Sequence, residues 1–423
     1  VLVLTDDQRY DTMDYMPITA GRLAGDSVRF VNGFVSTALC CPSRASILTG
    51  QYAHNTGILF TSAPNGGAAL FNDTSTLPLW LQTTGYKTGL IGKYLNGYRL
   101  ISPRIPPGWS DWQVFNNDSQ EPYFNYDMNE NGTIVHYGTN PSDYSTDVVA
   151  RKSVEFLNNT PQNQPFFLFV APFAPHFPYT PAPADAGSYS GIAPWRPASY
   201  NETDVSDKPQ WVQQLPLLTP TRMAAGDLAR QKQIESLQAV DRMIGQILDT
   251  LEQTGRLQNT YFIFSSDNGF SWGEHRWLED KICVYEECTR VPIWIKAPNV
   301  SGRIENKLLQ NIDFAPSIAD WAGVVIPSRV NGLSAKNLLA NPQSPWRSEI
   351  LLEGWGHFSA QTSLFGFKAV RDDRYVYVEY NNGDRELYDL LLDPLQLTNV
   401  VNEPSYASII SALQIKLNNL KNQ

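Results

Sequence analysis

Along the chain, short apolar blocks alternate with longer stretches of helical period. Val1 to Thr5, Phe166 to Ala171 and Tyr261 to Ser266 are short, mainly apolar runs, the pattern of a strand buried on both faces. Val28 to Ser36, Thr88 to Ile91 and Val291 to Lys296 read as further strands. Leu77 to Thr84, Thr146 to Leu157, Ala224 to Leu251 and Asp313 to Ala322 carry apolar residues at helical spacing. Pro42 suits the first turn of another helix and Gly50 suits its end. Strand alternating with helix predicts an α/β fold, a large, mostly parallel mixed sheet sandwiched by helices. Residues 101–144, rich in Pro, Asn, Gly and Tyr, and 172–220, dense in Pro and Trp, read as long loops, the second shaping a substrate mouth.

Near residue 345 the pattern changes. Glu349–Leu352, Phe367–Arg371, Tyr375–Tyr380 and Glu386–Leu390 are short strands joined by tight turns, one of them Asn382-Gly383. A helix from about Tyr406 to Leu420 follows. The expected organisation is an α/β domain over 1–345 and a small C-terminal α+β domain, an antiparallel sheet plus helix, over 346–423.

With 423 residues, 42% of them apolar, burying a large core is no difficulty. The net charge of −10 and the lack of any Lys/Arg-rich run exclude an extended nucleic-acid surface. They do not exclude a small anion, because a few cations focused in a cleft outweigh a distant negative surface. The longest apolar run, Phe166 to Phe173, is far too short to span a bilayer, so no membrane partner is expected. No leader-like segment precedes the first strand, so any leader is expected to have been removed or to lie outside this sequence. N-x-Ser/Thr sequons stand at Asn72, Asn117, Asn131, Asn158, Asn201 and Asn299. They suggest a secreted or extracellular glycoprotein, with a lysosomal or vacuolar lumen as the alternative; chance in an Asn-rich chain is the plainer reading. Among four cysteines, Cys283 and Cys288 are either one bridge or two small buried thiols.

Candidate chemistry starts with acidic residues. Asp6-Asp7 and Asp267-Asn268 each follow an apolar strand, and ligands of open parallel sheets bind at the carboxyl ends of strands. A single Asp there is ordinarily a turn or helix cap. Two such pairs, converging, would offer oxygen ligands to a hard cation, Ca²⁺ or alternatively Mg²⁺.

Cys40-x-Pro42-Ser43-Arg44, followed by Ala45-Ser46-Ile47-Leu48-Thr49-Gly50, resembles the signature of the formylglycine-dependent sulfatases, in which the first cysteine is oxidised to formylglycine. The resemblance implies an alkaline-phosphatase-like fold and maturation by a formylglycine-generating enzyme. It implies hydrolysis of sulfate monoesters, of an aryl alcohol or of a sugar such as N-acetylglucosamine 6-sulfate, through a covalent sulfated formylglycine. The modification has a chemical reason. A sulfated cysteine has no easy exit, whereas an aldehyde hydrate attacks sulfur with one hydroxyl and expels sulfate when the other loses its proton.

The same resemblance implies roles for further residues. Asp6, Asp7, Asp267, Asn268 and the modified Cys40 would bind the metal. Lys93, in Gly92-Lys93-Tyr94, and Lys281, in Asp280-Lys281, would contact sulfate. His176, in Ala174-Pro175-His176, would face the ester oxygen as general acid, and Arg44 would hold the formylglycine in place. His275, in Gly273-Glu274-His275, would approach substrate or orient other groups. Arg385-Glu386-Leu387-Tyr388-Asp389 with Asp393-Pro394 resembles the family's closing domain. Many sulfatases place a histidine two residues after the Gly-Lys lysine; here Leu95 stands there, with Asn96 next as the substitute partner. Cys-Cys-Pro-Ser-Arg with Gly-Lys-Tyr-Leu-Asn resembles the N-acetylglucosamine-6-sulfatase branch and fungal arylsulfatase-like relatives.

His54, His136 and His357 read as structural or surface residues. Tyr179, Trp195, Trp211, Trp272 and Trp277 are candidates to stack on a sugar or aryl ring. A phosphonate or phosphate monoester hydrolase, and a catalytically dead sulfated-glycan binder, are the rival functions on the same fold.

Overall fold

The computed structural model describes residues 1–116, 122–327, 329–356 and 366–423. His357 and the sequon at Asn117 lie outside them.

Among the described residues, ten strands form one mixed sheet. From edge to edge they are Arg303–Glu305, Ser27–Phe30, Ile293–Lys296, Phe262–Ser266, Leu2–Thr5, Phe166–Ala171, Lys87–Gly92, Asp111–Phe115, Tyr126–Glu130 and Thr133–Tyr137. Neighbours run parallel except around Ile293–Lys296 and Tyr126–Glu130, which are antiparallel to both of theirs. The central strands bury both faces, as their mainly apolar runs require. Leu2 and Leu4 enter one core with Phe167, Phe169 and Ile263. Val3 enters the opposite one with Leu168, Val170, Phe262 and Phe264. The helices Cys40–Thr49, Leu77–Gln82 and Phe314–Trp321 contribute to the first core. Ser145–Asn158 and the 34-residue helix Pro220–Gln253 close the second.

Two expectations are corrected. Residues 101–144 are not continuous loop: they contain Asp111–Phe115, Tyr126–Glu130 and Thr133–Tyr137. These strands lie toward one sheet edge and are half-exposed, so their apolar pattern is diluted by polar residues. The overlooked signal was Asn131-Gly132, both at positive φ (52° and 97°), a hairpin turn of the type that pairs such residues. The strand expected over Val28 to Ser36 breaks in two, and Gly33–Phe34 pairs instead with Leu309–Gln310.

A four-stranded antiparallel sheet follows, Glu349–Gly354, Phe367–Asp372, Tyr375–Tyr380 and Arg385–Asp389. Its alternation serves two partners. Ile350, Leu352, Ala369, Val376 and Val378 continue the first core, while Leu351, Val370, Tyr377 and Leu387 face Leu413 and Leu417 of the helix Ala407–Lys421. Cys283 and Cys288 form a disulfide. His54 Nδ1 pairs with Glu353 and the exposed His136 with Asp127.

Candidate active site

The register of two strands gathers the acidic residues. Leu2–Thr5 and Phe262–Ser266 are adjacent and parallel, with Thr5 opposite Ser266. Asp6 and Asp267 therefore leave the sheet side by side, and Asp267 N–H donates to the Thr5 carbonyl at 3.0 Å. The backbone N–H of Asp7 donates to Asp267 Oδ1 at 3.2 Å, and Asn268 Nδ2 to Asp7 Oδ1 at 2.7 Å. Asp6, Asp7, Asp267 and Asn268 are all buried.

Cys40 is the first residue of the helix Cys40–Thr49, whose ten residues are all buried. Gly50 ends it at φ 69°, a left-handed conformation suited to glycine. Arg44 stands four residues after Cys40, on the same helix face. Its Nε donates to Asp267 Oδ2 at 2.7 Å and its Nη1 to the Lys93 carbonyl at 2.8 Å. Its Nη2 lies 3.6 Å from Asp6 Oδ2. Cys40 Sγ and carboxylate oxygens of Asp6 and Asp267 all lie within 4.8 Å of one another.

Lys93 follows the strand Lys87–Gly92. Gly92 sits at φ 113°, and a Cβ there would meet the Ala171 carbonyl oxygen at 2.0 Å, so only glycine lets the chain turn here. The Lys93 ammonium pairs with Asp6, and that of Lys281 with Asp7. Lys281 Nζ is also 3.7 Å from Cys40 Sγ. His176 follows the strand Phe166–Ala171. Its Nδ1 is 2.8 Å from the Phe177 carbonyl, which can only accept, so Nδ1 carries a proton and Nε2 is left for chemistry. Nε2 is 3.7 Å from Asp7 Oδ2.

Three buried carboxylates thus face three buried cations, and the charges shift one another. Burial alone would raise the Asp6 carboxyl, but Lys93, then His176 and Arg44, hold it well below the usual carboxylate range. Burial and the neighbouring Asp6 push Asp267 up to about 6, against Arg44 and Lys93. Burial pushes His176 below the ordinary imidazole value, opposed by Asp7 and Asp6. Burial would lower both lysines, yet Asp6 keeps Lys93 raised and Asp7 keeps Lys281 raised.

The donor set fits a hard cation. Asp6 Oδ1 and Asn268 Oδ1 are buried acceptors without a hydrogen-bond partner. They come from two different strand ends, and orphaned buried oxygens are costly unless something positive meets them.

Two further sequence candidates are Asn96 and His275. Asn96 accepts from Ala68 N–H through its backbone carbonyl at 2.8 Å, and its side-chain oxygen is buried without a partner. His275 Nδ1 is 2.8 Å from Glu202 Oε2, and its ring lies 4.1 Å from that of Tyr285. The aromatic candidates are largely engaged in packing: Trp195 lies against Trp272, and Trp211 against Trp277, while Tyr179 is buried.

Sequence reasoning missed Arg9 and gave Glu274 no role. Arg9 Nη1 donates to Glu274 Oε1 and to the Phe270 carbonyl, both at 2.9 Å, tying the Asp6-Asp7 segment to the one after Asn268. Trp195 Nε1 donates to the same Glu274 oxygen at 2.6 Å, adding the long insert to the clamp. The available signal was an arginine two residues after a candidate ligand.

Comparisons with known proteins identify the family. The model of the sulfatase family matches residues 1–324, and that of the N-sulphoglucosamine sulphohydrolase C-terminal region matches 273–423. The chain is 31% identical over 446 residues to N-acetylglucosamine-6-sulfatase of Homo sapiens, covering 95% of this chain and 80% of that one. It is 33% identical over 371 residues to the extracellular sulfatase Sulf-1 homolog of Caenorhabditis elegans, covering 84% of this chain. It spans about half, 52%, of that relative's length. A protein solved in complex with its substrate, D-glucosamine-2-N,6-O-disulfate, superposes with a TM-score of 0.87 at 26% identity, over 100% of this chain and 97% of the other. A phosphonate monoester hydrolase of Agrobacterium radiobacter superposes with a TM-score of 0.80 at 22% identity, over 100% and 95%, a likeness of fold alone. With the family model covering most of its length, the chain belongs to the sulfatase family.

Proposed function

We propose that this protein hydrolyses sulfate monoesters, aryl or sugar sulfates, at Cys40 after its conversion to formylglycine by a formylglycine-generating enzyme. The observation that carries the reading is Cys40 Sγ set among Asp6, Asp267 and the Lys281 ammonium. The modified residue would supply the attacking hydroxyl and the release of sulfate, and a Ca²⁺ or Mg²⁺ ion held by Asp6, Asp7, Asp267 and Asn268 would supply neutralising charge.

The chain's own groups do the rest. Lys93, paired with Asp6, and Lys281, 3.7 Å from Cys40 Sγ, bind sulfate oxygens. Arg44 fixes Asp267 and the backbone of Lys93, so metal ligand and sulfate contact move together. His176 holds its transferable proton at Nε2 and gives it to the leaving oxygen. The three carboxylates and three cations balance without any guest. A divalent ion leaves two positive charges over, enough for one sulfate ester and one further anion at position 40.

We also assign the site to an α/β domain over residues 1–345, with 346–423 as its C-terminal partner. The extracellular sulfatase relatives support a secreted protein. Among the described residues, no helix is long and apolar enough to cross a membrane.

Two measurements test the reading. Mass spectrometry of the Cys40 peptide from native protein should find the aldehyde; an intact thiol would favour a sulfated-glycan binder. Turnover of 4-nitrophenyl sulfate should exceed that of the matching phosphate and phosphonate esters; the reverse order would favour the phosphonate hydrolase.

A further inference from the structure

Lys281 is a buried cation at the point where regular structure stops: it directly follows the short strand Leu278–Asp280, residues 281–283 belong to neither helix nor strand, and Glu279 and Ile282 stand at positive φ, 56° and 58°. A flexible lysine on such a segment would lose its place beside Asp7 and Cys40 unless something outside the segment held it. Two contacts do. Ile282 N–H donates to the Ala38 carbonyl at 3.1 Å, just before the Cys40 helix. Cys283, two residues after the lysine, is bonded to Cys288.

The far end of that bridge is anchored on the metal-ligand loop. The Cys288 carbonyl accepts from Gly269 N–H at 2.8 Å, and that of Glu287 accepts from Phe270 N–H at 2.7 Å. Gly269 directly follows Asn268, and a Cβ on it would lie 2.2 Å from the Glu287 oxygen, so this close approach requires glycine. Within the bridged loop Tyr285 is buried and donates to Glu386 Oε1 at 2.8 Å.

We infer that the Cys283–Cys288 disulfide is a positioning device for Lys281: it ties the sulfate-contacting lysine to the loop that carries Asp267 and Asn268, so both reach position 40 in one register. The inference rests on the reading of Lys281 as a sulfate contact. The strand Leu278–Asp280 restrains the chain before the lysine, and the cross-link removes chain freedom after it, where no ladder does. Its contribution is therefore to anion binding as well as to stability.

The test compares wild-type protein, the double variant Cys283→Ala/Cys288→Ala, Lys281→Met and the triple variant. It uses inorganic sulfate binding by calorimetry and 4-nitrophenyl sulfate turnover, with melting temperature recorded alongside. Opening the bridge should raise the sulfate dissociation constant and KM about tenfold, the size of one lost charge-assisted hydrogen bond. In the Lys281→Met background the same change should cost less than about twofold, because residues acting as a unit are not additive. A lower melting temperature with unchanged sulfate affinity would overturn the inference, as would effects that multiply in the triple variant. If the double alanine variant does not fold, Cys283→Ser/Cys288→Ser gives the same comparison. Wild-type affinity in the double cysteine variant, with weaker binding in Lys281→Met, refutes the positioning role alone. Wild-type protein that binds none refutes the reading of the site, and the inference with it.

Discussion

Arg44 Nε donates to Asp267 Oδ2 at 2.7 Å, across 223 positions of sequence, with both side chains almost fully buried. This bond locks the helix that carries Cys40 onto the strand end that carries Asp267 and Asn268. Arg44→Ala leaves Asp267 beside Asp6 without its counter-charge. It should cost about 3–5 kcal/mol of stability, as removal of one partner from a buried pair does. Arg44→Lys keeps the charge but cannot reach Asp267 and the Lys93 carbonyl together, and should lower kcat/KM by about 10²-fold while the fold persists. Chemical denaturation and steady-state kinetics on the two variants check this.

The buried oxygens of Asp6 and Asn268 without partners predict that a cation stabilises the fold. Chelation should lower the melting temperature and added Ca²⁺ restore it, by about 2.7 kcal/mol at a hundredfold excess over the dissociation constant. In Asp267→Asn the Ca²⁺-dependent shift should shrink. A thermal shift series against metal concentration reads both.

His176 predicts a dependence on leaving group. Alkyl sugar sulfates, with poor leaving groups, should slow about 10²–10⁴-fold in His176→Gln, and nitrophenyl sulfates much less. Burial holds this imidazole below its ordinary value of about 6.5. An acid is lost as pH rises through its pKa, so kcat/KM for a sugar sulfate should begin to fall below pH about 6.5. That alkaline limb should be absent in the variant, as a pH–rate profile would reveal.

Glu287 makes a prediction about stability. Burial and the nearby Glu274 push its carboxyl from 4.5 up to about 7, against His275 and Arg9. A folded-state pKa raised above the unfolded value means the fold prefers the protonated form. The stabilisation is full below the unfolded value and is lost as pH rises through the folded one, a window from 4.5 to about 7. Glu287→Gln should therefore melt higher than wild type at pH about 7.5, by up to about 3 kcal/mol, and match it near pH 4.5. Melting curves across that range decide it.

Much of this was legible in the residues. Short apolar runs just before Asp6-Asp7 and Asp267-Asn268 mark strands buried on both faces, because only a double-sided core removes the polar alternation. The Cys40 signature, its proline and its closing Gly50 are local features that a chain writes in order, and the helix begins and ends where they stand. The hairpin around Asn131 escaped notice because strands near an edge, half in water, keep polar residues that blur the period.

Contacts between distant segments are a different matter. That Thr5 lies opposite Ser266, that Arg44 reaches Asp267, that Lys281 reaches Asp7 and that Cys283 meets Cys288 rather than remaining a thiol all depend on register and packing. So does the clamp of Arg9 on Glu274, since neither residue alone differs from a surface charge. The side-chain pattern of a strand records which residues turn inward. The neighbour it meets there is set by the free energy of the whole folded chain, and only the assembled core shows it.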